Sequence, residues 1–182
     1  MGRWAALCLQ IFLQTKIIVK GRDNIINNEK FFIACSHQSM FETFYLQTIF
    51  NSPIFILKHE LVKIPIFGWY LKKIGSVSIN RNKISKDNLG LIDKIKKSVK
   101  ISDRPLIIFP QGTRVLPSEF IPFKKGVGRI YDELKINCQP VAINSGNVWT
   151  KNGRLFLNKT ITISILPIVG PGMAPAEFTN YI

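Results

Sequence analysis

In the run Ser36-His37-Gln38-Ser39-Met40-Phe41-Glu42, a histidine and a carboxylate stand five positions apart. The run directly follows Phe31-Phe32-Ile33-Ala34-Cys35, an apolar stretch that reads as a short buried strand. A second run, Phe109-Pro110-Gln111-Gly112-Thr113-Arg114, brings a glycine and an arginine to the end of another apolar stretch, residues 106–109. Ligands of α/β sheets collect outside the carboxyl ends of the strands, so two polar loops that each leave a strand can face each other across one site. One loop offers an imidazole base and an acid to orient it. The other offers a guanidinium and a glycine that lets the backbone approach an anion. That combination suits transfer of an acyl group to a phosphate-bearing alcohol.

The spacing decides what His37 and Glu42 can do. Within one continuous helix, residues five apart point well away from each other. With His37 in a loop and Glu42 in the first turns of a following helix, the two side chains can meet. Ser39-x-x-Glu42 is also a capping box, in which Ser39 caps the helix and Glu42 reaches back to its backbone. On residue pattern alone both readings of Glu42 stand. Cys35 precedes His37 by two residues and reads as a small buried hydrophobe rather than a nucleophile. His59 sits between Lys58 and Glu60, where a strand turns into a loop, and reads as solvated. No G-x-S-x-G elbow accompanies Ser36, so direct attack on the acyl donor is preferred to an acyl-enzyme. Two histidines without suitably spaced cysteines argue against a metal site.

Four ordered blocks make the sequence resemble the glycerolipid acyltransferases, in particular the 1-acylglycerol-3-phosphate (lysophosphatidic acid) acyltransferases. His37 to Glu42 match the family's His-x4-Asp/Glu block. Lys58, Glu60, Leu61, Pro65, Gly68, Gly75 and Arg81 match the second block. Phe109 to Arg114 match Phe-Pro-Glu-Gly-Thr-Arg, with Gln111 where the family usually has Glu, and Pro140-Val141-Ala142-Ile143-Asn144-Ser145-Gly146 match the last. The resemblance implies His37 as general base with Glu42 as its partner, leaving Ser39 as a helix cap. It implies Arg81, Gln111, Gly112, Thr113 and Arg114 around the acceptor's phosphate. Phe123-Lys124-Lys125-Gly126 also resembles a family segment, and its Lys124 is implied to touch a donor phosphate or to be solvated.

The elements that must hold these loops alternate. Apolar runs at residues 17–19, 31–35, 55–57, 77–79, 106–109, 141–143 and 161–165 read as strands. Leu89, Ile92, Ile95 and Val99 recur at helical spacing, and Val127, Ile130, Tyr131 and Leu134 form another stripe after Gly126. Strands alternating with helices predict one α/β domain with a largely parallel or mixed sheet flanked by helices. Residues 1–15 are expected to form a helix that packs on the domain or lies in the membrane interface, and residues 16–182 the acyltransferase domain. Residues 64–71, which include Trp69 and Tyr70, are flanked by lysines and read either as a buried helix or as a membrane-dipping element.

A chain of 182 residues with 46% apolar and 20% charged residues is sized for one core. The net charge of +14 predicts attraction to an anionic partner, although a Lys-rich composition alone contributes to it. A membrane surface with anionic lipid fits better than nucleic acid, for which no binding motif accompanies the charge. Three scattered cysteines without C-x-x-C spacing favour a reducing compartment. No apolar stretch reaches the ~18 residues that span a bilayer. Together with the resemblance, these features imply a peripheral or monotopic enzyme at the cytoplasmic face of a membrane, a bacterial inner membrane. Its partners would be lysophosphatidic acid, an acyl-CoA or acyl carrier protein donor, and the lipid surface, with no metal or redox cofactor. The alternatives are the same chemistry on glycerol 3-phosphate or another lysophospholipid, or a weakly active membrane-binding homologue. That last alternative rests on Gln111 and on a chain that stops at Ile182, where family members commonly continue.

Overall fold

The computed structural model describes residues 2–26, 29–65, 67–79 and 89–182. Seven strands form one sheet: β1 (Lys16–Lys20), β2 (Phe31–Cys35), β3 (Ile54–Lys58), β4 (Val77–Ile79), β5 (Leu106–Ile108), β6 (Asn137–Ile143) and β7 (Thr160–Ile165). Their order is β1-β7-β6-β2-β5-β3-β4, and every pair is parallel except β6 with β7. The α/β architecture read from alternating strand and helix patterns is the one observed. The sheet is mixed rather than wholly parallel because β6 and β7 are antiparallel neighbours.

Alternation along β2 shows how the sequence divides the core. Ile33 and Cys35 point to one face, where they pack with Leu9, Phe41, Leu46 and Leu71 from α1 (Gly2–Leu13), α2 (Phe41–Ile49) and α3 (Phe67–Lys73). Phe32 and Ala34 point to the other face and meet Ile95, Tyr131 and Phe178 from α4 (Leu89–Ile101), α5 (Gly126–Leu134) and α6 (Pro175–Tyr181). Helices on both faces bury β2 from Phe32 onward, which explains why it reads as an unbroken apolar run. β2 is flanked by β6 and β5, so the loops that leave these three strands emerge side by side.

Strand ends differ from the sequence expectation by one residue at β1, β3, β5 and β7, and by four at the start of β6. β6 begins at Asn137, four residues before the run at 141–143, because its polar first half is still paired with β2. Gln139 is buried there and donates to the Leu166 carbonyl. β5 stops at Ile108, so Phe109 turns out of the sheet.

The N-terminal helix is docked. Gly2 sits so close to α2 that an added Cβ would clash with the Phe44 carbonyl oxygen. Its opposite face leaves Trp4, Leu7, Ile11 and Phe12 exposed. Residues 64–71 divide: Leu71 is buried, Trp69 is 66% exposed beneath the Lys73 ammonium, and Ile66 lies outside the described residues. No described helix is long and apolar enough to cross a membrane.

Candidate active site

The loop between β2 and α2 is held by hydrogen bonds to both neighbouring strand ends. Ser36 continues toward β6, donating its N–H to the Val141 carbonyl and accepting the Ile143 N–H on its hydroxyl at 3.0 Å. Its oxygen is therefore committed to the sheet. His37 is held from both sides by the loop that leaves β5. Its N–H donates to Gln111 Oε1 at 3.0 Å, and its carbonyl accepts the Val115 N–H at 2.9 Å. Its ring stacks on Phe109, with centroids 4.0 Å apart and planes 19° from parallel. The early end of β5 is what frees Phe109 for this contact.

Helix α2 begins at Phe41, so Glu42 lies in its first turn and His37 precedes it. Glu42 Oε2 is 3.8 Å from His37 Nδ1, an ion-pair distance rather than a hydrogen bond. Nδ1 is buried and has no hydrogen-bond partner, while the ring as a whole keeps an accessible edge. The capping reading is realised in part: the residue before the helix is Met40, without a side-chain cap bond, but Glu42 does reach back to the backbone of Ser39. Oε1 accepts the Gln38 and Ser39 N–H groups at 2.9 and 3.0 Å, and Oε2 accepts the Ser39 hydroxyl at 3.2 Å. Ser39 Oγ in turn accepts the Phe41 N–H at 2.9 Å. A carboxylate has lone pairs for both tasks.

Glu42 is fully buried, yet its carboxyl titrates below its ordinary value. Burial raises it, and the neighbouring His37, the Ser145 hydroxyl and the Gln38 N–H more than offset that effect. The buried thiol of Cys35 is pushed the other way, well above its ordinary value, by desolvation and by the Glu42 charge. It is therefore a thiol, not a thiolate, which fits a packing role.

The loop after β5 carries the remaining residues from the second run. Gln111 is buried and contacts the His37 backbone. Gly112 has φ +69°, a conformation that favours glycine. The Lys124 side chain passes over it, so a Cβ there would lie 3.1 Å from that lysine's methylenes. Thr113 is exposed, and Arg114 is half-buried with no ion pair or hydrogen bond to a described residue. Arg81 lies outside the described residues. His59 is remote from this cluster, with Nδ1 3.3 Å from the Ser78 hydroxyl.

One buried group at the site carried no role in the sequence reading. Ser145, in a short 3-10 turn at the end of β6, donates its hydroxyl to Glu42 Oε1. The adjacent Gly146 N–H donates to Gln38 Oε1 at 3.1 Å. The available signal was topological, since Ser145 follows an apolar strand that neighbours β2.

Residues 16–144 match the protein family described as Acyltransferase. A 1-acyl-sn-glycerol-3-phosphate acyltransferase of Pseudomonas aeruginosa is 29% identical over 173 residues, which cover 94% of this chain and 64% of that protein. The enzyme of the same name from Helicobacter pylori is 38% identical over 118 residues, 62% of this chain and 48% of its own length. The chain thus spans less than two thirds of the length of these curated relatives. The crystal structure of the 1-acyl-sn-glycerophosphate (LPA) acyltransferase PlsC from Thermotoga maritima superposes with a TM-score of 0.78 at 25% identity. That match covers 99% of this chain and 71% of the other.

Proposed function

The chain belongs to the acyltransferase family, and we propose that it moves a fatty-acyl group from a thioester to the free hydroxyl of 1-acylglycerol 3-phosphate, giving phosphatidic acid. The observation that carries this reading is the His37–Glu42 pair, 3.8 Å apart, with the carboxylate buried and the imidazole left one accessible edge. The names of the relatives support the acceptor. The donor is acyl-CoA or acyl carrier protein.

In the proposed step, Nε2 of neutral His37 removes the hydroxyl proton as the oxygen bonds to the thioester carbon. The tetrahedral intermediate collapses, the C–S bond breaks, and the imidazolium returns the proton to the departing thiolate. Glu42 stabilises the transient imidazolium and keeps the proton of the resting ring on Nδ1. A separation of 3.8 Å is compatible with a contact that tightens when substrate binds. Arg114, and Arg81 by its place in the second block, receive the acceptor's phosphate, for which a guanidinium fork is suited. Gly112, Thr113 and Gln111 line the same loop, and Lys124 lies beside Gly112 where it can meet a phosphate. Atoms and charge balance without a metal or redox cofactor.

The proposed setting is the cytoplasmic face of a membrane, bound peripherally or monotopically. Residues 1–15 would act there as an interfacial helix: the exposed Trp4, Leu7, Ile11 and Phe12 enter the interface, and the charge of +14 meets anionic lipid. The test of the reaction is acyl transfer by the purified chain to a panel of 1-acylglycerol 3-phosphate, glycerol 3-phosphate and other lysophospholipids, with each donor. Phosphatidic acid as the dominant product supports the reading. Preference for another acceptor reassigns the substrate, and no transfer with any pair refutes the activity.

A further inference from the structure

We propose that Ser145 is a positioning residue for the His37–Glu42 pair, its hydroxyl fixing Glu42 Oε1 so that Oε2 is the oxygen presented to His37. The inference rests on the reading of His37 as base. Among the described side chains that hold Glu42, only Ser145 comes from outside the residue 37–42 segment. The other donors are Gln38 and Ser39, which move with the loop itself. Ser145 is anchored independently: its carbonyl accepts the Val148 and Trp149 N–H groups at 3.0 and 2.9 Å. The neighbouring Gly146–Gln38 bond at 3.1 Å ties the same turn to the residue after His37. The turn at the end of β6 therefore holds the base loop at two points, one of them on the carboxylate.

Ser145 is fully buried and its proton is directed at Glu42, so it is placed to orient rather than to attack a substrate. Its donation also disperses the carboxylate's charge. Without it, Glu42 holds a proton more strongly and binds an imidazolium harder, so the coupled pair takes up its proton at higher pH. A residue that merely filled space would not move that transition.

The test is steady-state acyl transfer to 1-acylglycerol 3-phosphate between about pH 5 and pH 9, with the native chain, Ser145→Ala, Glu42→Gln and the double variant. Ser145→Ala is expected to lower kcat about tenfold, to keep the acceptor KM within about twofold, and to move the acid limb of kcat to higher pH. In the Glu42→Gln background the same substitution should cost no more than about twofold. Native kcat and an unmoved acid limb in folded Ser145→Ala would overturn the proposal, as would an undiminished tenfold cost in the Glu42→Gln background. Should Ser145→Ala not fold, Ser145→Thr keeps the hydroxyl and must keep the native acid limb; a shifted limb in that variant also overturns it. If His37→Ala is inactive while Ser145→Ala is silent, only this inference fails. If His37→Ala is fully active, the proposed chemistry fails instead.

Discussion

Replacing Glu42 with Gln changes one oxygen to NH2 at nearly constant volume, so it isolates charge and hydrogen-bond polarity. Glu42 is surrounded by donors. Oε1 accepts from Gln38 N–H, Ser39 N–H and Ser145 O–H, and Oε2 accepts from Ser39 N–H and O–H with His37 Nδ1 nearby. An amide nitrogen in place of Oε1 would face three donors, so the amide should settle with its nitrogen on the Oε2 side. There the Ser39 N–H can keep its bond to the remaining oxygen, the Ser39 hydroxyl can rotate its proton away, and His37 Nδ1 can become the acceptor. An imidazole accepting at Nδ1 carries its proton on Nε2, and that edge can no longer take a proton from an alcohol. Turnover should fall about 10²–10⁴-fold, at least as far as the ~10²-fold expected for His37→Ala. Losing one or two charge-assisted hydrogen bonds, partly remade by the amide, should cost about 2–3 kcal/mol. For a chain of this size that lowers Tm by about 4–12 °C. The pH dependence gives a second readout. The native carboxyl titrates below its ordinary 4.5, so the unfolded chain binds the proton first as pH falls. The stabilisation is full well above 4.5 and is lost as pH drops through the depressed native value. The Tm gap between native chain and Glu42→Gln should therefore be widest near neutrality and close in acid. Folded Glu42→Gln with kcat within about threefold of native, or a Tm gap that does not narrow in acid, would refute this reasoning.

Gln111→Ala removes the acceptor of the His37 N–H and should lower kcat about tenfold with little change in acceptor KM, whereas Gln111→Glu keeps an acceptor and should stay within about threefold. A change confined to acceptor KM would make Gln111 a substrate contact instead. Arg114→Ala should raise acceptor KM far more than donor KM, and Arg114→Lys should restore it only in part; an effect on the donor alone would remove Arg114 from the phosphate site. Cys8 is exposed, while burial raises the Cys35 thiol and pushes Cys138 up to about 12, so a thiol reagent should titrate one fast cysteine in the folded chain and all three after denaturation. A second fast thiol would contradict the packing. Binding to vesicles with anionic lipid should exceed binding to neutral ones and weaken with salt, and Trp4→Ser or Trp69→Ser should reduce the salt-resistant part. Equal, salt-independent binding unaffected by either substitution would argue against the interfacial reading.

The local parts of this site are legible in the sequence because they are held by local bonds. His37 and Glu42 meet as their spacing predicts, since the helix starts at Phe41. The runs at 31–35 and 77–79 coincide with β2 and β4, short apolar stretches with polar residues on either side in the sequence. What the sequence hides is supplied across the sheet. Asn137 to Gln139 do not belong to an apolar run, and only pairing with β2 makes them part of β6. Gln111 reads as a neighbour of Arg114, yet its oxygen accepts from His37, 74 positions earlier.

The two readings of Glu42, helix cap and histidine partner, look exclusive only if the carboxylate is counted as one acceptor. Its oxygens accept from the helix start and also from Ser145, while one of them faces the imidazole. The capping bonds place the acid in the first turn, while against the effect of burial it is His37, then the Ser145 hydroxyl and the Gln38 N–H, that hold its carboxyl below the ordinary value. An ionised carboxylate at this place is what the proposed pairing with His37 requires. Because the strands carrying His37, Gln111 and Ser145 are adjacent in the order β6-β2-β5, their carboxyl ends deliver all three loops to one place. Sheet order thus determines which distant polar residues can reach His37. A substitution that shifted β6 against β2 would be expected to disable His37 without touching it.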